Sequence, residues 1–366
     1  MAAHPKLGTG WVGARARVAL SWASVSATPR KPNLSRGEKV IPGLWRLKLP
    51  LPWPLVPHGN AFAVADGDGL LLIDTGIHSE ESMDNLEDAL NQCGLSVDMV
   101  HRIVCTHAHA DHAGQAMSIK DRTGAEILIN PALEHMRGYV SDPDGTLDYR
   151  LSRALLCGVP PEAVERQRET RRGMNSGFDR VLEPDRDLVE GMTIPSDLGD
   201  LNVIETPGHA PSHVVLHQPE GRLLFSGDHI LGRVSLYYDV GYTPDPAGEF
   251  LASLDKVASL GARLCLSGHG KPVNAIPELA AANKAAVEGR LRAIRSSLAT
   301  EPLSAWEITS LLYEGMPEEP RIGWFLPETL AYLTHLAILG EVVRDGGEPV
   351  ERWAVAPAAS QATAAA

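Results

Sequence analysis

The sequence predicts an α/β fold in which short strands and helices are intermixed and chemistry gathers on the loops at strand ends. Apolar runs such as Leu70-Leu71-Leu72-Ile73, Ile103-Val104-Cys105 and Leu264-Cys265-Leu266 stop at small or metal-binding residues, and helical periodicity separates them. One loop stands out. Residues 106–112 read Thr106-His107-Ala108-His109-Ala110-Asp111-His112, with four metal-binding donors in six positions. Imidazole and carboxylate together suit a borderline cation such as zinc, and iron or manganese accept the same set.

Taken in order, the elements begin near Val40. Phe62-Ala63-Val64-Ala65 and Leu70 to Ile73 flank Asp66-Gly67-Asp68-Gly69 and read as a hairpin with glycine turn chemistry. Residues 79–93 read as a helix: Ser79 can cap it, Glu80 and Glu81 suit its first turn, and Met83, Leu86, Leu90 and Cys93 recur at helical spacing. His101 to Cys105 is a buried strand that leads into the histidine loop, and Ala113 to Met117 opens a helix. On extended backbone positions two apart share a face, so His107 and His109 converge on one ion, while Asp111 and His112 follow the turn and face a second. Strands at 125–129 and 201–204 bracket an insertion that carries Arg166-Gln167-Arg168-Glu169-Thr170-Arg171-Arg172. That run is either a solvated helical face or a clamp for substrate phosphates. Val214 to Leu216 and Leu223 to Phe225 form a second hairpin around Pro219-Glu220-Gly221.

Four more pieces fix the reading by their order. Ile73-Asp74-Thr75-Gly76 precedes the histidine loop, and Thr206-Pro207-Gly208-His209, Ser226-Gly227-Asp228 and Ser267-Gly268-His269-Gly270 follow it, each closing an apolar run. The set resembles the metallo-β-lactamase-fold hydrolase superfamily, glyoxalase II and LACTB-2-like branch, over residues 39 to 282. The resemblance implies a four-layer αββα sandwich and a dinuclear site. It places His107, His109 and His209 on the first metal, and Asp111, His112 and His269 on the second, with Asp228 bridging and Asp74 orienting a ligand from behind. Two divalent cations about 3.5–4 Å apart need such an anionic bridge. Zn2+ is the expected metal, with Fe or Mn as alternatives. Asp at 228, where the antibiotic-degrading members use Cys, and His112 beside Asp111 both turn the resemblance towards thioester and phosphodiester hydrolases. His213 is expected as a satisfied histidine at a strand start, or else as a substrate contact. His229 is a candidate for lining the pocket, and His58, His78, His101, His135 and His217 carry no spacing that asks for a role.

At 366 residues, 44% hydrophobic and 22% charged, the chain can bury a large core. The first 38 residues are basic and small-residue-rich, an extension or a transit-like segment, and residues 356–366 are an Ala-rich tail. Residues 283–355 form a second module: a helix at 283–298, a capping box at Ser304-Ala305-Trp306-Glu307, a helix opened by Pro327 and ended at Gly340, and a hairpin over 341–355. This order is similar to the winged-helix-like module of the LACTB-2-like branch. Its second helix, residues 328–339, holds no Lys or Arg, so it offers nucleic acid no phosphate contacts. The net charge of −13 also disfavours polyanionic partners and anionic membranes. No apolar run reaches the roughly 18 residues of a transmembrane helix. Four cysteines without a CxxC pair suit reduced thiols and a cytoplasmic setting, or an organellar one if residues 1–38 are a transit peptide.

The resemblance thus implies a hydrolase that uses a metal-bridged hydroxide, with Asp111 and Asp228 as its catalytic carboxylates. The expected substrate is a small molecule, an acyl thioester such as an acyl-CoA-like or glutathione thioester, with Arg166, Arg168, Arg171, Arg172 and His213 as candidate substrate contacts. The runner-up is an endoribonuclease acting on single-stranded RNA. A reading from another class is a non-catalytic metal-binding regulatory protein.

Overall fold

In the computed structural model, residues 35–53, 55–231, 241–345 and 349–357 are described; most of the N-terminal extension and the end of the Ala-rich tail lie outside them. Among the described residues the first sheet takes its strands in chain order: β1 Arg36–Ile41, β2 Leu44–Trp53, β3 Val56–Asp66, β4 Gly69–Ile73, β5 Val100–Val104, β6 Glu126–Ile129 and β7 Arg186–Asp187. It is antiparallel from β1 to β4 and parallel from β4 to β7. A second sheet runs β12-β11-β10-β9-β8, with β8 Thr193–Ile194, β9 Leu201–Glu205, β10 Val214–Gln218, β11 Leu223–Gly227 and β12 Leu264–Ser267.

Strand alternation builds the layers. In β4, Leu70 and Leu72 pack with Leu86 and Leu90 of helix α1 (Ser82–Asn91), while Leu71 and Ile73 join Val203, Val214, Leu216 and Phe225 between the sheets. In β10, Val214 and Leu216 face that inner layer and Val215 faces the other way, towards further helices. Both sheets are thereby sandwiched, giving the αββα order that the resemblance implied. Helix α1 is shorter than expected. It starts at Ser82 with Glu81 at its cap, and the hydroxyls of Ser79 and Ser82 lie 2.7 Å apart.

The remaining helices are α2 Ala110–Ala113, α3 Ala116–Thr123, α4 Glu134–Ser141, α5 Pro143–Leu156, α6 Pro161–Arg171, α7 Pro246–Ala258, α8 Ile276–Leu298, α9 Ala305–Leu312, α10 Glu318–Pro320 and α11 Leu326–Ile338. A π-helical turn, Arg321–Phe325, joins α10 to α11. The boundary expected at residue 282 falls inside α8. The capping box forms as expected, with Ser304 Oγ accepting from the Glu307 N–H and Glu307 returning the contact to the Ser304 N–H. A small sheet of β13 Leu303–Ser304, β15 Arg352–Val355 and β14 Val342–Asp345 closes the end of the chain.

Residues Leu34–Ala366 make one compact unit. The reason is a shared core: Val215, Leu224 and Cys265 of the second sheet lie in one apolar cluster with Phe250 of α7, Val287 of α8, and Leu333 and Leu336 of α11. Among the described residues no helix is long and apolar enough to cross a membrane.

Candidate metal centre

The donor residues all follow the C-terminal ends of strands: Asp74 after β4, His107 to His112 after β5, His209 after β9, Asp228 after β11 and His269 after β12. In α/β sheets this edge is where backbone leaves the hydrogen-bonded ladder and side chains can converge. Three groups of donors do converge, each within 4.8 Å: His107, His109 and His209; His107, His112 and Asp228; and Asp111, His112 and His269. His107 Nε2 and His209 Nε2 stand 3.0 and 3.1 Å from His109 Nδ1. Asp228 lies between the groups, its Oδ1 3.3 Å from His112 Nε2 and its Oδ2 3.2 Å from His269 Nε2 and 3.7 Å from His209 Nε2.

Contacts behind the imidazoles orient the lone pairs. His112 donates through Nδ1 to Asp74 Oδ2 at 2.8 Å, His107 donates through Nδ1 to Thr106 Oγ1 at 3.1 Å, and His269 donates through Nδ1 to the His58 carbonyl at 2.9 Å. Each leaves Nε2 facing the cluster, a tautomer fixed by its neighbour. Asp74 also accepts from the Thr106 N–H at 2.7 Å and from the Thr106 hydroxyl at 2.9 Å. It is 1% exposed and held at φ 62°, a left-handed conformation that costs a non-glycine residue and persists where function uses it. Asn60 and Arg46 fasten the last loop: Asn60 Nδ2 donates to the carbonyls of Ser267 and Gly270, and Arg46 donates to that of Gly270.

The residues fit a bound metal. His112 Nε2 and Asp228 Oδ1 are buried and make no hydrogen bond although they face each other, as ligand atoms that share an ion do. The electrostatics agree. Burial opposes charge on Asp228, yet His269 and His112 pull its carboxyl well below the usual range. Burial likewise opposes charge on His269, but Asp228 and Asp111 push its pKa up to about 10, so with no cation present this imidazole itself carries the positive charge that a bound cation would supply. Burial and the surrounding imidazoles hold His107 well below the normal histidine value, so it is the neutral ligand form.

Above the donors opens a cavity of about 1340 Å3, on which His109, Asp111, His209, Asp228 and His269 all border. Of the four arginines expected near substrate only Arg171 lines it. Arg166 pairs with Glu318, at 2.7 Å, and Arg168 pairs with Asp148 and Glu165. Arg172 ends the helix exposed. His213 does not border the cavity. It is buried, donates through Nδ1 to Thr206 Oγ1 at 2.8 Å and accepts the Asp228 N–H on Nε2 at 3.1 Å, so it holds the backbone of the central carboxylate. His229 is buried against Phe250, with ring centroids 5.0 Å apart, rather than at the cavity. Sequence reasoning passed over His58 and His135, which both line the cavity, because no spacing distinguishes them.

Comparison with known proteins agrees with this geometry. The family profile described as Metallo-beta-lactamase superfamily matches residues 55–269. The "Probable metallo-hydrolase YqjP" of Bacillus subtilis is 28% identical over 276 residues, 70% of this chain and 84% of that one. The "Atrochrysone carboxyl ACP thioesterase" of Claviceps purpurea is 25% identical over 325 residues, 85% of this chain and 86% of that one. Among solved structures, a metallo-beta-lactamase family protein from Thermus thermophilus superposes with a TM-score of 0.73 at 29% identity, covering 87% of this chain and all of the other.

Proposed function

From a chain that belongs to the metallo-beta-lactamase superfamily, and is a hydrolase by that membership, we infer that the substrate is an acyl thioester. His107, His109 and His209 would hold one divalent cation, Asp111, His112 and His269 the second, and Asp228 both. Zn2+ is the cation we assign to this set of imidazoles and carboxylates, a set that iron and manganese accept as well. Bound there, the cations supply Lewis acidity and water of lowered pKa.

The chain's own residues do the rest. Asp74, Thr106 and the His58 carbonyl keep three Nε2 atoms aimed at the cluster. His213 fixes the backbone from which Asp228 projects. Asp111 borders the cavity and would fix the attacking water: burial opposes its charge, but His112 and His269 keep it below the usual carboxylate range, so it stays ionised. No serine or cysteine nucleophile is needed.

The observation that carries the thioester over RNA is the cavity wall. Beyond the donors it mixes apolar side chains such as Trp53, Leu147, Trp324 and Leu330 with polar ones, and of the cations that line it Arg153 and Arg344 are spent on Glu351 and Arg171 on Glu319, while Arg166 and Arg168 are spent on ion pairs elsewhere. Strand binding would call on a row of uncommitted cations. That a relative is named an acyl-carrier thioesterase supports the same choice.

The test is metal analysis alongside turnover. The loaded protein should carry about two ions per chain and release thiol from acyl-CoA, with both lost in His107→Ala. Efficient cleavage of single-stranded RNA with inert thioesters would transfer the site to the nuclease reading.

A further inference from the structure

The cavity over the donors is much larger than the hydrolysis of a small acyl group requires. At about 1340 Å3 it exceeds the roughly 300–1,000 Å3 usual for a small-molecule pocket, and it continues from the donors to the C-terminal part of the chain. Two helical ridges border it there. Leu147, Leu151 and Ala154 recur on α5 at spacings of four and three, and Ile322, Leu326 and Leu330 recur at spacings of four along the π-helical turn and α11. Such spacings place each trio on one face of its helix. Leu151, Ala154, Ile322 and Leu326 are buried although they border the cavity, so this arm is narrow; Leu147 and Leu330 are half-buried. All six belong to the apolar cluster that the module shares with the second sheet.

We propose that this arm between α5 and α11 receives the aliphatic chain of the substrate, making the enzyme selective for medium- to long-chain acyl thioesters. The proposal rests on the thioester reading of the metal centre and adds the class of acyl group. Along these six side chains a peptide or a nucleotide would lose the water around its amides or phosphates with no donor to replace it, although Thr146 and Arg153 of α5 and Thr334 of α11 line the same cavity. An alkyl chain has no such groups. Each methylene that leaves water for the arm adds about fourfold to binding. Lys271 and Arg171 border the same cavity, Arg171 beside the π-helical turn, 3.5 Å from where a Cβ on Gly323 would stand, so an anionic carrier would meet positive charge there although the whole chain is acidic. The C-terminal module thereby has a role beyond packing, because removing α11 would remove one wall of the arm.

The experiment compares acetyl-, butyryl-, octanoyl- and lauroyl-CoA on the full-length, metal-loaded protein. From butyryl upwards, kcat/KM should climb by about fourfold per methylene until the arm is filled. Leu147→Trp and Leu330→Trp, at two half-buried positions on opposite walls, should each lower the lauroyl-to-butyryl ratio about tenfold or more. The ratio reports selectivity even where a variant is less active overall. Binding of lauryl alcohol, followed by calorimetry, reads the arm without turnover, and both variants should weaken it.

If no thioester is hydrolysed while lauryl alcohol still binds and the two tryptophans weaken it, the thioesterase reading fails and the alkyl arm stands. Hydrolysis with equal kcat/KM from acetyl to lauroyl, and no binding of lauryl alcohol, would overturn the arm and leave the thioesterase reading intact.

Discussion

Gly268→Ala is a one-methyl test of whether His112 and Asp228 share an ion. Gly268 lies outside the left-handed backbone region, so alanine is tolerated by the backbone and its cost is steric. An added Cβ would stand 2.5 Å from His112 Cε1 and nearer still to Asp228 Oδ1, where contacts below 3.4 Å are already tight. Something must therefore retreat by about 0.9 Å. His112 is pinned behind by Asp74, and the backbone of Asp228 by His213, so the donor atoms themselves take up the displacement. A misplacement of about 1 Å costs on the order of a hundredfold in rate, and overpacking of this kind costs about 1–3 kcal/mol in stability. The assay is ion content after dialysis against graded chelator, kcat/KM for a thioester after reloading, and a thermal melt. Gly289→Ala on α8 is the control, since its nearest neighbour is Arg292 at 3.7 Å and alanine improves helix propensity. The expected result is a folded Gly268 variant that releases its metal early and turns over slowly. Full metal retention with unchanged kcat/KM would refute the convergence of the two side chains on one ion.

His229 should make the protein acid-sensitive. Burial pushes its pKa down to about 3 and, among the described residues, neither ring nitrogen has a partner, so below the ordinary value of about 6.5 the unfolded chain binds a proton that the folded one refuses. Stability then falls by about 1.4 kcal/mol per pH unit between those values and is fully present above them; His229→Leu should melt with a shallower acid slope than the parent in urea titrations at pH 7 and pH 5, and equal slopes would dismiss the effect. Arg290 and Glu328 form a buried ion pair between α8 and α11, and the Tyr332 hydroxyl donates to the same carboxylate oxygen. Arg290→Met should cost about 3–5 kcal/mol, because it strands a carboxylate that burial already disfavours, whereas Arg290→Met with Glu328→Leu should recover most of the loss. A single variant as stable as the parent in denaturant would contradict this.

The histidine loop was legible because its chemistry is local: four donors stand within six positions, and His107 and His109 meet although β5 ends at Val104 and residues 106–109 form a bend instead of extended strand. His209, Asp228 and His269 were legible only by order. Taken singly each is a turn residue, and nothing in its neighbours reveals that β9, β11 and β12 end at the same edge. Contacts made by backbone atoms were illegible altogether. His58 matters to His269 through its carbonyl, an atom that every residue possesses, so no residue type could announce it. Of the arginines of α6 only Arg171 reaches the cavity, since a dense run of charge shows attraction without direction, and direction depends on where Glu318 and Asp148 stand to hold Arg166 and Arg168.

The same limit applies to the cavity, with a consequence for how this chain divides its labour. Leu147 and Leu330 look like ordinary amphipathic spacing on two unrelated helices; only the fold brings them to one wall system with the donors, 183 positions apart in the chain. The motifs that the family profile matches end at residue 269, whereas Ile322, Leu326 and Leu330 lie beyond it. Metal chemistry is thus encoded in the matched region, while much of the surface that would meet the rest of the substrate is encoded outside it. A change of acyl preference could therefore arise by substitution on α11 without touching any donor, because the ridge that shapes the arm and the loops that aim the imidazoles share no residue.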